Sequence, residues 1–406
     1  MKWFKLCFTA LALCATLLLL GGCGEEVITL NVYNWGEYIS DGSEGTLDVN
    51  AAFEEYYYET YGQRVQVNYT TYASNEDMYA KLRSGATGYD VVIPSDYMIE
   101  RMINEDMLLP LNFDNIPNYQ YIAPDMRDLF YDPQNIYSVP YTYGLVGIIY
   151  NTTMVDEADT GSWDLMWNEK YQGKILQFNN ARDAFGTAMY WHDIDVNTTD
   201  EAQWREALEL LKAQKPIVQG YVMDEIFNKM KGASAAIAAY YAGDYLTMYD
   251  SNSDLDFYYP SEGTNIFTDA MCIPSCAQHK DVAEAYINFM LSEEIAIANA
   301  EYICYASPHM LVRENDDYRA YLEDFRPGAY DILYPDLSTL DTQAYAMLDV
   351  ETQSLQNRLW EELKIESSVG SSIYTVAMII IALLLLLLAR HIAIQRYRAW
   401  HLKNHS

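Results

Sequence analysis

The stretch "VITLNVYNWGEY", Val27–Tyr38, predicts the kind of fold and the kind of site that the whole chain forms. Its first half, Val27–Val32, is rich in β-branched and apolar residues and predicts a buried strand. A core strand would continue with Val, Ile or Leu, but Trp35, Glu37 and Tyr38 follow instead. Large rings with polar edges at the end of a strand predict the wall of a binding site rather than more core.

Strand-like and helix-like segments alternate beyond this stretch. Ile28–Val32, Val65–Tyr69 and Val91–Pro94 are strand-like, whereas "SNEDMYAKLRSG" and "KDVAEAYINFMLSEE" have the caps, charges and one-sided apolar face of helices. This alternation predicts an α/β fold with mainly parallel sheets, which bind ligands at the carboxyl ends of their strands. A region of about 340 residues exceeds one comfortable core, so two close-packed lobes are expected.

The N-terminus has the order of a bacterial lipoprotein signal. Residues 1–22 run from a basic start through an apolar stretch, which is too short for a lasting membrane span. The ending Leu20–Cys23 predicts cleavage before Cys23 and lipidation of that cysteine. An ordinary signal peptide that ends near a cysteine is the alternative.

The C-terminal region carries a second membrane signal. Residues 367–389 contain no charge and centre on "IIIALLLLLLA", which predicts one transmembrane helix through a layer of roughly 30 Å. Cations and no acids occur in 390–406, so a cytoplasmic tail is expected. A hydrophobic helix buried in the domain is the alternative. The region between Cys23 and 367 is then expected on the outer face of the cell membrane.

The chain is strongly acidic, with a formal net charge of −33 at pH 7. Nucleic acid is excluded as a partner, because binding to phosphate needs a basic surface. The charge favours the approach of a cationic ligand. Cys272, Cys276 and Cys304 remain in the outer region, an odd number that permits one disulfide at most, and three small buried hydrophobic residues are expected.

Signatures of metal binding and catalysis are weak. The outer region has no His-x-x-x-His or Cys-x-x-Cys pair, and "DSNSDLDFYYPS" lacks the glycine and glutamate of a calcium loop. No phosphate-binding glycine loop and no Gly-x-Ser-x-Gly sequence occurs. We therefore predict no cofactor, no metal and no enzyme activity. An extracellular carbohydrate-active enzyme is the alternative, because carboxylate pairs are abundant in so acidic a chain.

One pattern does recur, an aromatic side chain and a carboxylate at the end of an apolar strand. It occurs as Trp35, Glu37 and Tyr38; as Ser95, Asp96 and Tyr97; as Tyr241 and Asp244; and as Phe267 and Asp269. Each alone is compatible with a solvated loop, but four together predict one pocket. Rings attract ammonium groups and cover methylene chains, and carboxylates accept charge-assisted hydrogen bonds. Because an unpaired buried ammonium is costly, the pattern predicts a polyamine ligand whose amines each have an acid.

At these residues the chain resembles the spermidine/putrescine-binding proteins of ABC importers. The resemblance runs from about Leu30 to Lys364 through ordered blocks. They are "YNWGEY", "SNEDMYAKL", "YDVVIPSDYMIERM", "YSVPYTYGLVGIIYN", "NNARDAFGTA", "YAGDY" and "EGTNIFTDAMCIP". The resemblance implies a two-lobed, type II periplasmic-binding-protein-like α/β fold. It also implies putrescine or spermidine as ligand and ABC permease subunits as partners.

The resemblance implies the ligand-binding residues one by one. They are Trp35, Tyr38, Ser95, Tyr97, Asp183, Tyr241, Asp244, Phe267, Asp269 and Tyr305, and the recurring pattern adds Glu37. Asp269 matches the central amine acceptor of the family. Asn180 stands where spermidine binders often have an acid, so one partner of a third amine is missing. A glutamine that some members carry near the end of the pocket has no clear counterpart in "QAYAMLD".

A domain arrangement and a mechanism are also implied. Lobe 1 is expected over 27–142 and 263–310, and lobe 2 over 143–262 and 311–366. Strands that cross near Pro140–Gly144 and Phe257–Phe267 would let the lobes close on the ligand, and the closed form would dock on the permease. A binding protein for another solute, such as ferric iron held by tyrosines, is a further alternative.

Overall fold

The strands carry the framework of the molecule. The structure, a computed structural model, describes residues 27–85 and 88–404. The predicted signal peptide, 1–22, and the predicted lipidation site, Cys23, lie outside these residues. The strands are β1 (Ile28–Trp35), β2 (Val65–Tyr72), β3 (Val91–Val92), β4 (Ser138–Asn151), β5 (Ile175–Phe178), β6 (Val218–Val222), β7 (Ile237–Tyr241), β8 (Leu255–Tyr258), β9 (Thr264–Cys272) and β10 (Thr342–Gln343).

Helices alternate with these strands along the chain. The α-helices are α1 (Val49–Tyr61), α2 (Asn75–Arg83), α3 (Asp96–Asn104), α4 (Ala181–Trp191), α5 (Glu201–Gln214), α6 (Glu225–Lys231), α7 (Ala242–Ser251), α8 (Lys280–Met290), α9 (Glu293–Ile303), α10 (Met310–Arg313), α11 (Asp316–Phe325), α12 (Ala329–Leu333) and α13 (Val350–Asn404). Short 3₁₀ helices cover Ser43–Gly45, Phe113–Asn115, Pro117–Tyr121, Pro124–Met126, Glu157–Asp159, Trp163–Trp167 and Glu169–Tyr171.

Local sequence explains the two helices that were predicted. In α2, the Ser74 side chain accepts a hydrogen bond from the Asp77 backbone N–H, and cations occupy the last turn. Both features stabilise a helix, because they satisfy its free N–H groups and complement its dipole. In α8, Val282, Tyr286 and their apolar neighbours are buried. Both predicted helices are confirmed.

The strands form a mixed sheet with the order β2-β1-β3-β9-β4-β7-β5-β6, to which β8 and β10 are added at β4 and β9. The pairs of β1 with β2 and β3, and of β5 with β6 and β7, are parallel. Every antiparallel pair involves β4 or β9. β10 also pairs with β9 in the parallel sense, so five of the nine pairs among the described strands are parallel. The α/β class is therefore confirmed, and the sheet is mixed with a small majority of parallel pairs. The antiparallel pairs at the long strands β4 and β9 are not revealed by the alternation of strands and helices.

The chain divides into two compact units. Of the described residues, one unit comprises those up to Asn197 together with Ile217–Met347, and the other comprises Thr198–Pro216 and those from Leu348 onward. Within the second unit, Lys212 of α5 binds Glu209 on its own helix and Glu362 of α13. The first unit contains all the strands and the cavity described below.

The C-terminal helix does not support the membrane prediction. Among the residues that the structure describes, no helix is both long and apolar enough to cross a membrane. Residues 367–389 belong to α13. The predicted transmembrane helix is thus not supported.

The cysteines behave as small apolar residues. Cys272, Cys276 and Cys304 are all free thiols. Cys272 and Cys304 are buried as expected, whereas Cys276 is half-buried. Burial raises the pKa of the Cys272 thiol well above its usual range, so this side chain is an unreactive part of the core.

Candidate functional site

A cavity lies in the first unit, where several strands end and several helices begin. Trp35 ends β1 and Tyr241 ends β7, while Asp183 and Asp244 lie in the first turns of α4 and α7. Asp269 extends into the cavity from β9. An acid in the first turn is favoured by the helix dipole, which offsets part of the cost of removing it from water. The fold thus brings carboxylates to an enclosed place where they would otherwise be unfavourable.

The structure brings nearly all of the predicted site residues to this cavity. Its lining includes Trp35, Tyr38, Ser95, Tyr97, Asn180, Asp183, Tyr241, Asp244, Phe267, Asp269 and Tyr305. Glu37 is the exception, because its side chain is exposed and borders a neighbouring cavity. The backbone at Glu37 is left-handed, with φ of 52°, which turns this side chain away from those of Trp35 and Tyr38.

Asp269 lies at the centre of the hydrogen-bond network. Its Oδ2 accepts a 2.7 Å hydrogen bond from Tyr38 Oη, which in turn accepts one from Thr142 Oγ1 at 2.5 Å. Its Oδ1 is buried and has no hydrogen-bond partner among the described residues. Burial is the larger influence and raises the pKa of Asp269 to about 6, while the nearby Ser95 and Tyr38 hydroxyls lower it.

Two further carboxylates repeat this arrangement with a tyrosine. Asp183 Oδ2 accepts hydrogen bonds from Tyr241 Oη at 2.8 Å and from Asn180 Nδ2 at 2.9 Å. Asp244 Oδ2 accepts one from Tyr305 Oη at 3.0 Å. Loss of water contact raises the pKa of Asp183 and that of Asp244 to about 7. Each carboxylate therefore uses one oxygen in a bond to tyrosine and keeps hydrogen-bonding capacity for a ligand.

Aromatic rings form the walls between these acids. The Trp35 ring lies 4.6 Å from that of Tyr72, since residues 35 and 72 are paired in the parallel register of β1 and β2. The Tyr38 and Tyr305 rings are 5.1 Å apart at nearly right angles. The Tyr241 and Phe267 rings are 5.3 Å apart. Such walls suit an aliphatic chain with cationic ends, because rings cover methylenes and attract ammonium groups.

Sequence reasoning missed part of the lining. The unforeseen residues are Gly36, Tyr72, Ala73, Asn75, Arg182, Met223, Asp224, Phe227, Tyr240, Asn265 and Tyr345, and Asp96 belongs to the recurring pattern. Arg182 precedes a predicted acid, and Tyr345 lies in "QAYAMLD", but nothing local marks either as a site residue. Glu76, which accepts a hydrogen bond from Tyr97 Oη at 3.1 Å, adds a further acid behind the wall.

Together, the mixed α/β sheet and the enclosed cavity lined by rings and acids define the class of solute-binding proteins. The match to known families agrees with this class, since residues 51–323 match the bacterial extracellular solute-binding protein family. The chain belongs to that family. At the level of the family, it is a binding protein rather than an enzyme.

Individual relatives show the same resemblance over most of the chain. The spermidine/putrescine-binding periplasmic protein of Escherichia coli is 30% identical over 83% of this chain and 91% of that protein. The putrescine/cadaverine-binding protein of Pseudomonas aeruginosa is 27% identical over 87% of this chain and 99% of that protein. The solved structure of a spermidine/putrescine ABC transporter substrate-binding protein from Streptococcus pneumoniae is 33% identical, with a TM-score of 0.66 over 83% of this chain and 99% of that one.

Proposed function

We propose that this protein binds a polyamine outside the cytoplasm and delivers it to the permease of an ABC importer. The observation that carries the proposal is the buried Oδ1 of Asp269, which has no partner among the described residues and borders a cavity walled by rings. A buried carboxylate oxygen in that position needs a hydrogen-bond donor, and an ammonium group makes the strongest such bond. The relatives named for spermidine and putrescine binding support the same ligand class.

The acids of the site match a ligand with more than one amine. Asp183, Asp244 and Asp269 line the same cavity, and each is also bonded to a tyrosine. Putrescine would use two of these carboxylates, and its methylene spine would lie against Trp35 and Tyr38. No covalent chemistry is needed, because binding and release suffice for delivery.

A second cavity adjoins the first and gives room for the longer ligand. Spermidine would extend toward the neighbouring cavity, which is bordered by Glu37 and shares Asp224 and Asp244 with the first one.

Capture by closure is part of the proposal. The lobes would comprise 27–142 with 263–310, and 143–262 with 311–366. The path of β4 supports this arrangement, because its first part pairs with β9 and its second part with β7 and β8. Its register with β9 shifts between Pro140 and Thr142, which is a suitable place for a bend. A ligand that contacts both parts would favour the closed form.

A lipid anchor at Cys23 is the proposed means of retention on the outer face. It is supported by the sequence of 1–23, and two or more acyl chains hold a protein stably at a membrane. Cells fed a radiolabelled fatty acid should label the wild-type protein but not the Cys23→Ser variant. Equal labelling of both proteins would rule out this site.

Equilibrium dialysis of the full-length chain with radiolabelled putrescine tests ligand binding. The wild-type protein should retain about one putrescine per chain, and an excess of unlabelled spermidine should displace it. An uncharged sugar should not displace it. Absence of retained putrescine at pH 8 would overturn the proposed function.

A further inference from the structure

Arg182 places a positive charge at the cavity that we propose binds the positively charged amines of a polyamine. Its side chain is 3% exposed and borders the cavity, and it precedes Asp183 in the chain. Its Nε and Nη1 are buried without hydrogen-bond partners among the described residues. An arginine in this place would be expected to pair with the neighbouring carboxylate, since such pairs form strong bidentate hydrogen bonds. That pairing would neutralise an acid that a ligand amine needs.

Asp183 has other partners instead. Its Oδ2 accepts hydrogen bonds from Tyr241 and Asn180, and no hydrogen bond joins it to Arg182. Burial raises the pKa of Asp183 to about 7, even though the Tyr241 hydroxyl and the charge of Arg182 both lower it. Asp183 is therefore not held in an ion pair with Arg182.

The guanidinium of Arg182 is held by a strap, which we define as residues 342–347. Its Cζ lies 4.6 Å from the centre of the Tyr345 ring, and its Nη2 donates to the Ala346 carbonyl oxygen at 3.1 Å. Nη2 also donates to Asn197 Oδ1 at 2.7 Å. Asn197 also binds the strap. Its Nδ2 donates to the Ala344 carbonyl oxygen at 2.9 Å, and its Oδ1 accepts a hydrogen bond from the Ala346 N–H at 2.8 Å. The strap and Asn197 thus fix one edge of the guanidinium.

Tyr345 can occupy its position only because residue 186 is a glycine. A Cβ added at Gly186 would overlap Tyr345 Oη and lie 3.1 Å from its Cζ. Gly186 lies inside α4, where glycine is less favourable than alanine. The close approach of Tyr345 gives a physical reason for a glycine there. The same helix carries Asp183, so Tyr345 is fixed relative to that acid.

We propose that Tyr345, seated on Gly186, is a positioning residue that holds the Arg182 guanidinium away from Asp183 and so keeps Asp183 free for a ligand ammonium. The inference rests on the proposed function, because it assigns Asp183 to a polyamine amine. Attraction of the cation to the ring face replaces the ion pair that Arg182 would otherwise form. The hydrogen bonds from Arg182 Nη2 to Asn197 and to the Ala346 carbonyl oxygen fix the orientation of the guanidinium.

The test is a set of variants of the full-length chain, titrated with putrescine by calorimetry at pH 8. Tyr345→Leu removes the ring face and should weaken binding by about tenfold or more, because Arg182 then pairs with Asp183. Tyr345→Leu combined with Arg182→Gln should bind much more tightly than Tyr345→Leu alone, since the competing cation is gone. Tyr345→Phe keeps the ring and should lose much less affinity than Tyr345→Leu.

Two further measurements separate positioning from structural damage. The pKa of Asp183, followed by NMR, should fall in Tyr345→Leu and rise again in the double variant. Gly186→Ala should bind putrescine weakly. Adding Tyr345→Phe should restore binding, because the overlapping hydroxyl is removed. This pair of variants replaces Tyr345→Leu if that variant does not fold. If wild type binds no putrescine, the proposed function fails. The inference is overturned if wild type binds putrescine but neither rescue succeeds. In that case Arg182→Gln does not restore binding to Tyr345→Leu, and Tyr345→Phe does not restore it to Gly186→Ala.

Discussion

Tyr38 Oη donates a 2.7 Å hydrogen bond to Asp269 Oδ2 and leaves Oδ1 of the same carboxylate buried without a partner among the described residues. This asymmetry matters because Tyr38 fixes the orientation of the carboxylate while one oxygen stays available. Thr142 in turn fixes Tyr38 through a 2.5 Å contact between hydroxyl oxygens. An acceptor oriented in advance loses little freedom when a ligand binds, which favours affinity.

Asp269→Asn should remove most of the affinity for every polyamine. The variant side chain is neutral, so the ammonium group of the ligand would be buried without a charged partner. We expect a loss of about 2 to 4 kcal/mol, which is the usual effect of removing one member of a buried charge pair. The measurement is the dissociation constant for putrescine at pH 8.

The matched control for Asp269→Asn is Asp114→Asn. Asp114 is exposed and does not line the cavity. This control should change the dissociation constant by less than about twofold, in keeping with the small effects of surface charges. Equal binding by wild type and Asp269→Asn would show that Asp269 does not meet the ligand.

Trp35→Ala should weaken the binding of putrescine and the binding of spermidine by similar factors. The Trp35 ring covers the methylene spine in the proposed complex, and both ligands share that spine. The expected loss is about 1 to 3 kcal/mol from apolar area and cation–π attraction. Tyr58→Ala is the control, because Tyr58 is 40% exposed on α1. A loss confined to one of the two polyamines would contradict the assignment of Trp35 to the shared spine.

Binding should weaken as the pH falls from 8 to 5.5. Burial raises the pKa of Asp183 and Asp244 to about 7 and that of Asp269 to about 6, so these acids take up protons in the free site over this range. Aliphatic amines stay charged here, because their pKa is about 10. Binding must then release protons, and calorimetry in buffers of different ionisation enthalpy measures that release. Affinity that is independent of pH would contradict these protonation states.

The same acids should affect the stability of the ligand-free protein in the opposite direction. Their folded-state pKa values lie above those of the unfolded chain, so the folded state binds more protons between about pH 4 and pH 7. Their contribution to stability is full below the unfolded pKa and is lost as the pH rises through the folded one. Asp244→Asn should therefore flatten the fall in unfolding free energy over this range. An unchanged slope would argue against a raised pKa at Asp244.

Asn180→Asp should shift selectivity toward spermidine. Asn180 Nδ2 donates to Asp183 Oδ2 at 2.9 Å, so the change replaces a donor with a second carboxylate. Two carboxylates this close share a proton near neutral pH but offer an extra charge at pH 8. The ratio of the dissociation constants for putrescine and spermidine should therefore move toward spermidine at pH 8, and less at pH 6. A constant ratio, or a shift toward putrescine, would show that Asn180 does not face the ligand.

Much of the site could be predicted from the sequence because its residues follow strands. Trp35, Tyr241 and Asp269 each lie in or at the end of an apolar run, so a local pattern marks them. Glu37 shares that pattern but is turned away by its left-handed backbone. The order of residues does not reveal this backbone conformation.

The remaining site residues depend on contacts between distant parts of the chain. Arg182 is bonded to the Ala346 carbonyl oxygen across 164 positions of the sequence. Tyr345 reaches the cavity because β10 pairs with β9 and because Asn197 binds the strap. The antiparallel pairing of β4 with β9 was likewise missed, since each strand alone is compatible with either direction. Such features arise from tertiary packing rather than from local pattern.

Calorimetric titration of the full-length protein with putrescine, spermidine and an uncharged sugar tests the central claim most directly. The carboxylates and rings of the cavity predict saturable binding of the polyamines at about one ligand per chain, with proton release at pH 7 and no heat of binding for the sugar. Binding of the sugar alone, or of none of the three ligands, would contradict polyamine capture by this site.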